Sequence, residues 1–140
     1  MDFKLEIFKN LIKVLLLYNY NFQTFKLSLE YSLANTIILR HDVDLKPQNS
    51  LATAIIESKH GIQGTYYFRM VPESYNEDII KHIADLGHEI GYHYENMDSV
   101  STRFRGLSIK FKNTEEERES IINAAYEEFC ENLERFRKIY

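Results

Sequence analysis

The stretch Thr36-Ile37-Ile38-Leu39-Arg40-His41-Asp42-Val43-Asp44 decides how this chain is read. It opens as a short β-branched apolar run, the composition of a strand buried on both faces. It then finishes in a histidine and two carboxylates. Unpaired buried charge is costly, so charge at the end of such a strand calls for a partner. Two further segments repeat the form. Thr65-Tyr66-Tyr67-Phe68 reads as a second buried strand ending at Arg69, and Glu89-Ile90-Gly91-Tyr92-His93-Tyr94 as a third, shorter one.

Helices are predicted between and after these strands. Pro47 suits the first turn of a helix through Leu51, Ala54, Ile55 and Glu57, and Gly61 is placed to end it. Asn76 can cap a helix carrying Ile79, Ile80, Ile83, Ala84 and Leu86, which Gly87 closes. The last helix should start at Asn113 or Thr114, with Glu115, Glu116 and Glu117 in its first turn. It ends in Arg135, Arg137 and Lys138, so both ends complement the helix dipole. Its stripe Ile122, Ala125, Phe129, Leu133 and Phe136 reads as core packing or a partner-helix face.

At the start of the chain, Phe3, Ile7, Leu11, Val14, Leu15 and Tyr18 recur at helical spacing and predict an amphipathic helix. Residues 19–35 are less regular, and the polar, basic stretch 98–112 reads as a loop. Strand and helix alternating three times is the signature of a parallel sheet. The expected organisation is an α/β domain over residues 36–140 behind an N-terminal helical extension over residues 1–35.

Composition narrows the function. The chain has 140 residues, 44% hydrophobic and 27% charged, too apolar for a disordered chain. A single cysteine, Cys130, can form neither an internal disulfide nor a cysteine-rich zinc site. The net charge of −4 offers no basic footprint, so no nucleic-acid partner is expected. The apolar run Leu11–Tyr18 is too short to span a bilayer. Asp2 and Glu6 ahead of it fit a signal peptide poorly. The expectation is a cytoplasmic protein with no membrane partner.

Parallel α/β folds gather ligands at the C-terminal ends of their strands. There this sequence places His41, Asp42 and Asp44, then Arg69, then His93 with Glu95 just beyond. While the chain is extended, Asp42 and Asp44 project to one side and Val43 to the other. One carboxylate could hold a cation while the other serves as a base. His93 could add a neutral imidazole nitrogen of the kind zinc prefers. Such an ion would activate a bound water, the aspartate left free would take its proton, and the ion would steady the resulting oxyanion. Plainer roles exist for each residue. Asp44 could cap a turn or helix before Pro47. His93 could be a hydrogen-bonded core histidine, and Arg69 could simply pair with Asp42 or Asp44. His60, His82 and His88, at helices or their ends, read as surface residues.

Taken in order, Leu39-Arg40-His41-Asp42-Val43-Asp44, then Gly61-Ile62 before Thr65–Arg69, then Leu86-Gly87-His88-Glu89-Ile90-Gly91-Tyr92-His93-Tyr94-Glu95, resemble the polysaccharide deacetylase superfamily, of the carbohydrate esterase family 4 type. The likeness is greatest for the branch with an Arg-His-Asp-Val-Asp first motif, and it covers roughly residues 36–98. It implies a distorted (β/α) barrel and metal-dependent hydrolysis of an amide, the N-acetyl group of a carbohydrate or a small N-acyl compound. By position it makes Asp42 the catalytic base and Asp44 and His93 ligands of a divalent metal, zinc by preference. Arg69 and Glu95 are the expected substrate contacts. The family's second metal-binding histidine falls on Met97, a poor ligand for a hard ion, and Glu95 or Asp98 could stand in for it.

A barrel of this type needs about 200 residues or more. The expectation is therefore a partial barrel of about three parallel strands, the N-terminal part of a longer fold. The family's later arginine and its general-acid histidine have no counterpart before Tyr140. A second copy of the chain or a missing C-terminal half would cover the open edge. Two other readings stand beside this one. One is a non-catalytic remnant or binding module; the other is a receiver-like small α/β protein whose strand-end aspartates bind magnesium.

Overall fold

Short parallel strands with helices packed around them build the first part of this chain, and a pair of helices builds the rest. A computed structural model describes residues 4–107 and 114–140. It divides into two units, Met1–His93 and Tyr94–Tyr140.

The first unit runs α1 (Leu5–Leu17), β1 (Asn21–Gln23), α2 (Phe25–Glu30), β2 (Thr36–Ile38), β3 (Arg40–Val43), α3 (Pro47–Lys59), β4 (Thr65–Phe68), α4 (Glu77–Asp85) and β5 (Glu89–Tyr92). The α/β class is as expected. Among the described residues the strands form two open parallel sheets, β1-β2 and β3-β4-β5, and no closed barrel. The run expected as one strand from Thr36 changes partner at Leu39. Thr36–Ile38 pairs with β1, while Arg40–Val43 pairs with β4. Strand β1 was not expected, because Asn21-Phe22-Gln23 has no β-branched residue. Its anchor is the buried amide of Gln23. That amide donates to Tyr31 O at 2.9 Å and accepts from Leu33 N–H at 3.2 Å and the Thr36 hydroxyl at 3.0 Å. Residues before 36 thereby belong to the same compact unit as β3–β5.

Helix α1 buries a different face from the one its spacing suggested. Phe8 and Ile12 pack with Ile62, flanked by Leu16, Phe22, Leu39 and Ile56. Ile7, Leu11, Val14 and Tyr18 are exposed. The helix is apolar on most sides, so periodicity allows two faces, and the contact with Ile62 selects one. Phe3 lies outside the described residues. Helix α3 begins with Pro47 and gives way to Gly61 at φ 69°. Helix α4 is capped as expected, the Asn76 side chain accepting from Ile79 N–H at 3.0 Å. Gly87 leaves it at φ 91°. Tyr66, Phe68, Ile80 and Ile83 are fully buried, each apolar side chain contributing about 1.5–3 kcal/mol.

In the second unit, α5 (Asn96–Leu107) stands where a loop was expected. Its polar sequence hides one apolar edge. Val100 is buried with Ile121 and Ala125, and Phe104 packs beside them. Asn96 also donates to Glu128 at 2.9 Å. Helix α6 (Glu115–Arg137) starts at Thr114 with a full capping box. Asn113, the other expected start, lies outside the described residues. Of the expected stripe, Ala125 and Phe136 are buried and Phe129 and Leu133 half-buried, but Ile122 is exposed and Ile121 takes its place inside. No helix among the described residues is long and apolar enough to cross a membrane.

Candidate functional site

Register is what assembles the site. Arg40 pairs with Thr65, Asp42 with Tyr67 and Val43 with Phe68. Tyr67 pairs in turn with Gly91, and Phe68 with Tyr92. The three strands therefore end level, and Asp44, Arg69 and His93 are the next residues on each. Side chains alternate between faces. Arg40, Asp42, Tyr67, Glu89 and Gly91 share one face, while His41, Val43, Tyr66 and Phe68 share the other. The ladder continues one residue past β5, His93 N–H donating to Phe68 O at 2.8 Å.

At this end Nε2 of His93 lies 3.8 Å from Asp42 Oδ2 and 3.7 Å from Asp44 Oδ1. Neither is a direct hydrogen bond. The imidazole side chain is 14% exposed, against 39% for Asp42 and 54% for Asp44, so solvent reaches the carboxylates while the ring is held. The two aspartates differ in their other partners. Arg40 Nε–H donates to Asp42 Oδ1 at 2.8 Å, which leaves Oδ2 turned toward His93. Helix α3 has no side-chain N-cap, so Asp44 is not used to start it.

Atoms bound at about 2.0–2.2 Å to one zinc ion lie at most about 4.4 Å apart, so the Asp44–His93 pair can share an ion at a wide angle. A catalytic zinc usually has three protein ligands, and besides the Arg40-tied Asp42 the first unit offers two here. This donor set fits a weakly held, partly hydrated divalent ion. Of the expected substrate contacts, Arg69 follows β4 and is half-buried. Glu95 belongs to the second unit, where with Tyr94, Met97, Ile122, Tyr126 and Phe129 it lines an apolar groove. Met97 is exposed there.

Several positioning groups carry no signal in the sequence. The Arg40 guanidinium rests 4.7 Å from the centre of the Tyr67 ring. Phe25 meets that ring edge-on at 6.2 Å. Gly91 makes room for it, since a Cβ there would lie 2.4 Å from Tyr67 Cε1. Burial and the nearby Glu89 raise the Tyr67 pKa. Glu89 itself accepts from the Thr65 hydroxyl at 2.8 Å and from Lys26 N–H at 3.2 Å. Fully buried Ser74 ties two strand ends together, donating to Val43 O and accepting from Arg69 N–H at 3.1 Å. A glycine inside a strand pattern is a recognised sign of close approach, and Gly91 was the one clue available.

His88 corrects another expectation, for it is buried and not a surface residue. Gly64 N–H donates to its Nδ1 at 3.0 Å, and its Nε2 lies 3.0 Å from Ala54 O. The proton is therefore on Nε2. Burial pulls its pKa below the ordinary histidine value, an effect the bond to Ala54 partly opposes.

Comparison with family models, with curated proteins and with solved structures found no match for this chain.

Proposed function

We propose that the strand-end cluster of the first unit is a divalent-cation site serving hydrolysis of an N-acyl amide, on the pattern of the polysaccharide deacetylases. In this reading β3-β4-β5 corresponds to one arc of that family's barrel. The observation that carries it is the placement of His93 Nε2 within 3.8 Å of both strand-end aspartates. The sequence motifs supply the rest.

Asp44 and His93 would hold the ion, and a zinc-class ion there would supply Lewis acidity and a more acidic bound water. Asp42 suits the role of base, because Arg40 orients one oxygen and leaves Oδ2 to receive a proton. Arg69 is the cation placed at the same edge, suited to a carbonyl or hydroxyl oxygen of an N-acetylated carbohydrate or small N-acyl compound.

The test has two stages. Zinc chloride, at about 100 times its dissociation constant, should stabilise the protein by about 2.7 kcal/mol. Asp44→Ala should abolish the rise in Tm. No shift with zinc, manganese or magnesium would end the proposal. Acetate release from N-acetylglucosamine oligomers should then exceed that of Asp42→Asn. Zinc binding with equal acetate traces would leave a cation-binding module without catalysis.

A further inference from the structure

His41, next to Asp42 in sequence, lies on the opposite face of the sheet. There it meets Glu57 of α3, whose side chain is fully buried. Glu57 Oε1 lies 2.6 Å from His41 Nε2, and the Tyr66 hydroxyl donates to Oε2 at 2.8 Å. Burial, reinforced by the Glu57 charge, raises the Tyr66 pKa far above the tyrosine norm, so the hydroxyl stays a donor. Oε1 is then the acceptor for His41 Nε2–H. The third titratable group facing Glu57 is His88, with Nδ1 at 3.5 Å. That nitrogen already accepts from Gly64 and cannot donate to the carboxylate.

The His41 ring is fixed on two sides. It stacks on Tyr66 at 4.3 Å between centroids, 20° from parallel, and Phe8 of α1 meets it edge-on at 6.3 Å. Its Nδ1 has no hydrogen-bond partner among the described residues. His41 also lines a cavity of about 390 Å³ with Leu5, Phe8, Asn49 and Thr53. A buried carboxylate costs several kcal/mol before its partners compensate. A strut joining α3 to the sheet could be built from apolar groups instead. A carboxylate on one ring nitrogen, with the other nitrogen bare beside a cavity, is how a histidine is set up as a base.

We propose that His41 and Glu57 form a proton-accepting dyad serving a second site, the cavity between α1 and α3, which takes a small uncharged aromatic molecule bearing one weakly acidic O–H or N–H. The proton passes from that group to His41 Nδ1, and Glu57 stabilises the resulting imidazolium. Leu5 and Phe8 receive the ring, and Asn49 and Thr53 offer polar contacts to a substituent. The site is separate from the Asp44–His93 cluster and stands or falls without it.

4-Nitrophenol is the probe, because loss of its proton moves its absorbance to longer wavelength. Binding should produce that shift, and 4-nitrophenol should protect His41 from carbethoxylation by diethyl pyrocarbonate, mapped by peptide mass spectrometry. In Glu57→Gln the amide oxygen still accepts from Tyr66, but the NH2 can only donate to His41 Nε2, which moves the ring proton to Nδ1, and the charge is removed. The substitution should slow modification of His41 at least about 10-fold, with the exposed His82 unchanged. Thr53→Phe fills the cavity without touching the dyad and should abolish the absorbance shift while leaving the circular dichroism spectrum intact. If Glu57→Gln does not fold, Thr53→Phe alone decides. An absorbance shift that survives Thr53→Phe, or a His41 rate unchanged in folded Glu57→Gln, overturns the proposal.

Discussion

Gly91→Ala should destabilise the first unit through a single contact. A methyl group at this position would lie 2.4 Å from Cε1 and 2.5 Å from Cδ1 of Tyr67. Ordinary carbon contacts are about 3.5–4.0 Å, so the ring must retreat by more than about 1 Å. It cannot retreat freely, since Arg40 lies over the ring and Phe25 meets it edge-on. Overpacking of this kind costs about 1–3 kcal/mol. For a cooperative unit of roughly 90 residues, that lowers the melting temperature by about 5–20 °C. The assay is thermal unfolding followed by circular dichroism, run as a cycle with Tyr67→Ala. Removing the ring removes the three atoms nearest the added methyl group, so Gly91→Ala should cost little in that background, and the coupling should recover most of the 1–3 kcal/mol. A cost below about 0.5 kcal/mol in the wild-type background, or an equal cost in both, would refute the reasoning. The displaced ring would also unseat Arg40, so acetate release, if present, should fall further than zinc binding.

Ser74→Ala removes the donor to Val43 O and the acceptor for Arg69 N–H. Urea unfolding should show a loss of about 1–3 kcal/mol. His88 is kept neutral by burial. As pH falls below about 6.5 the unfolded chain takes up a proton there that the folded chain refuses, so stability drops, and it is recovered as pH rises. The Tm difference between wild type and His88→Gln should accordingly narrow on acidification from pH 7.5 to 5; a constant difference would exclude the histidine as cause. Thr114→Ala breaks the capping box of α6 and should cost the second unit about 0.5–2 kcal/mol, read as loss of helical signal at lower temperature.

The strands β4 and β5 were legible because each is a short run between helix signals, whereas the apolar run from Thr36, read as one strand leading into the aspartates, forms β2 and leaves the charged segment Arg40–Val43 to form β3. The meeting of Asp42 and Asp44 with His93 was legible because parallel strands that end level bring their ends together. Other features depend on what crosses between elements. β1 rests on the amide of Gln23 and not on strand-forming residues. α5 is polar but for the few residues that meet α6. α1 offered two apolar faces, and only Ile62 distinguishes them. Arg40, Tyr67 and Ser74 act on neighbours two to 42 positions away, through pairing and packing that local spacing does not report. His88 follows a helix stop, which suggests exposure, yet the chain turns inward there toward Ala54.

Strand β3 sends His41 to one face of the sheet and Asp42 to the other, and this constrains folding as well as chemistry. A slip of one residue exchanges the faces. It would bring the Asp42 carboxylate against the fully buried Glu57 and lift His41 away from it. Two like charges in a water-poor space repel by several times the energy of a surface ion pair. Short parallel strands have few backbone bonds with which to hold their alignment. Here the order of a base and an acid along four residues adds to their hold, and disfavours the misaligned sheet.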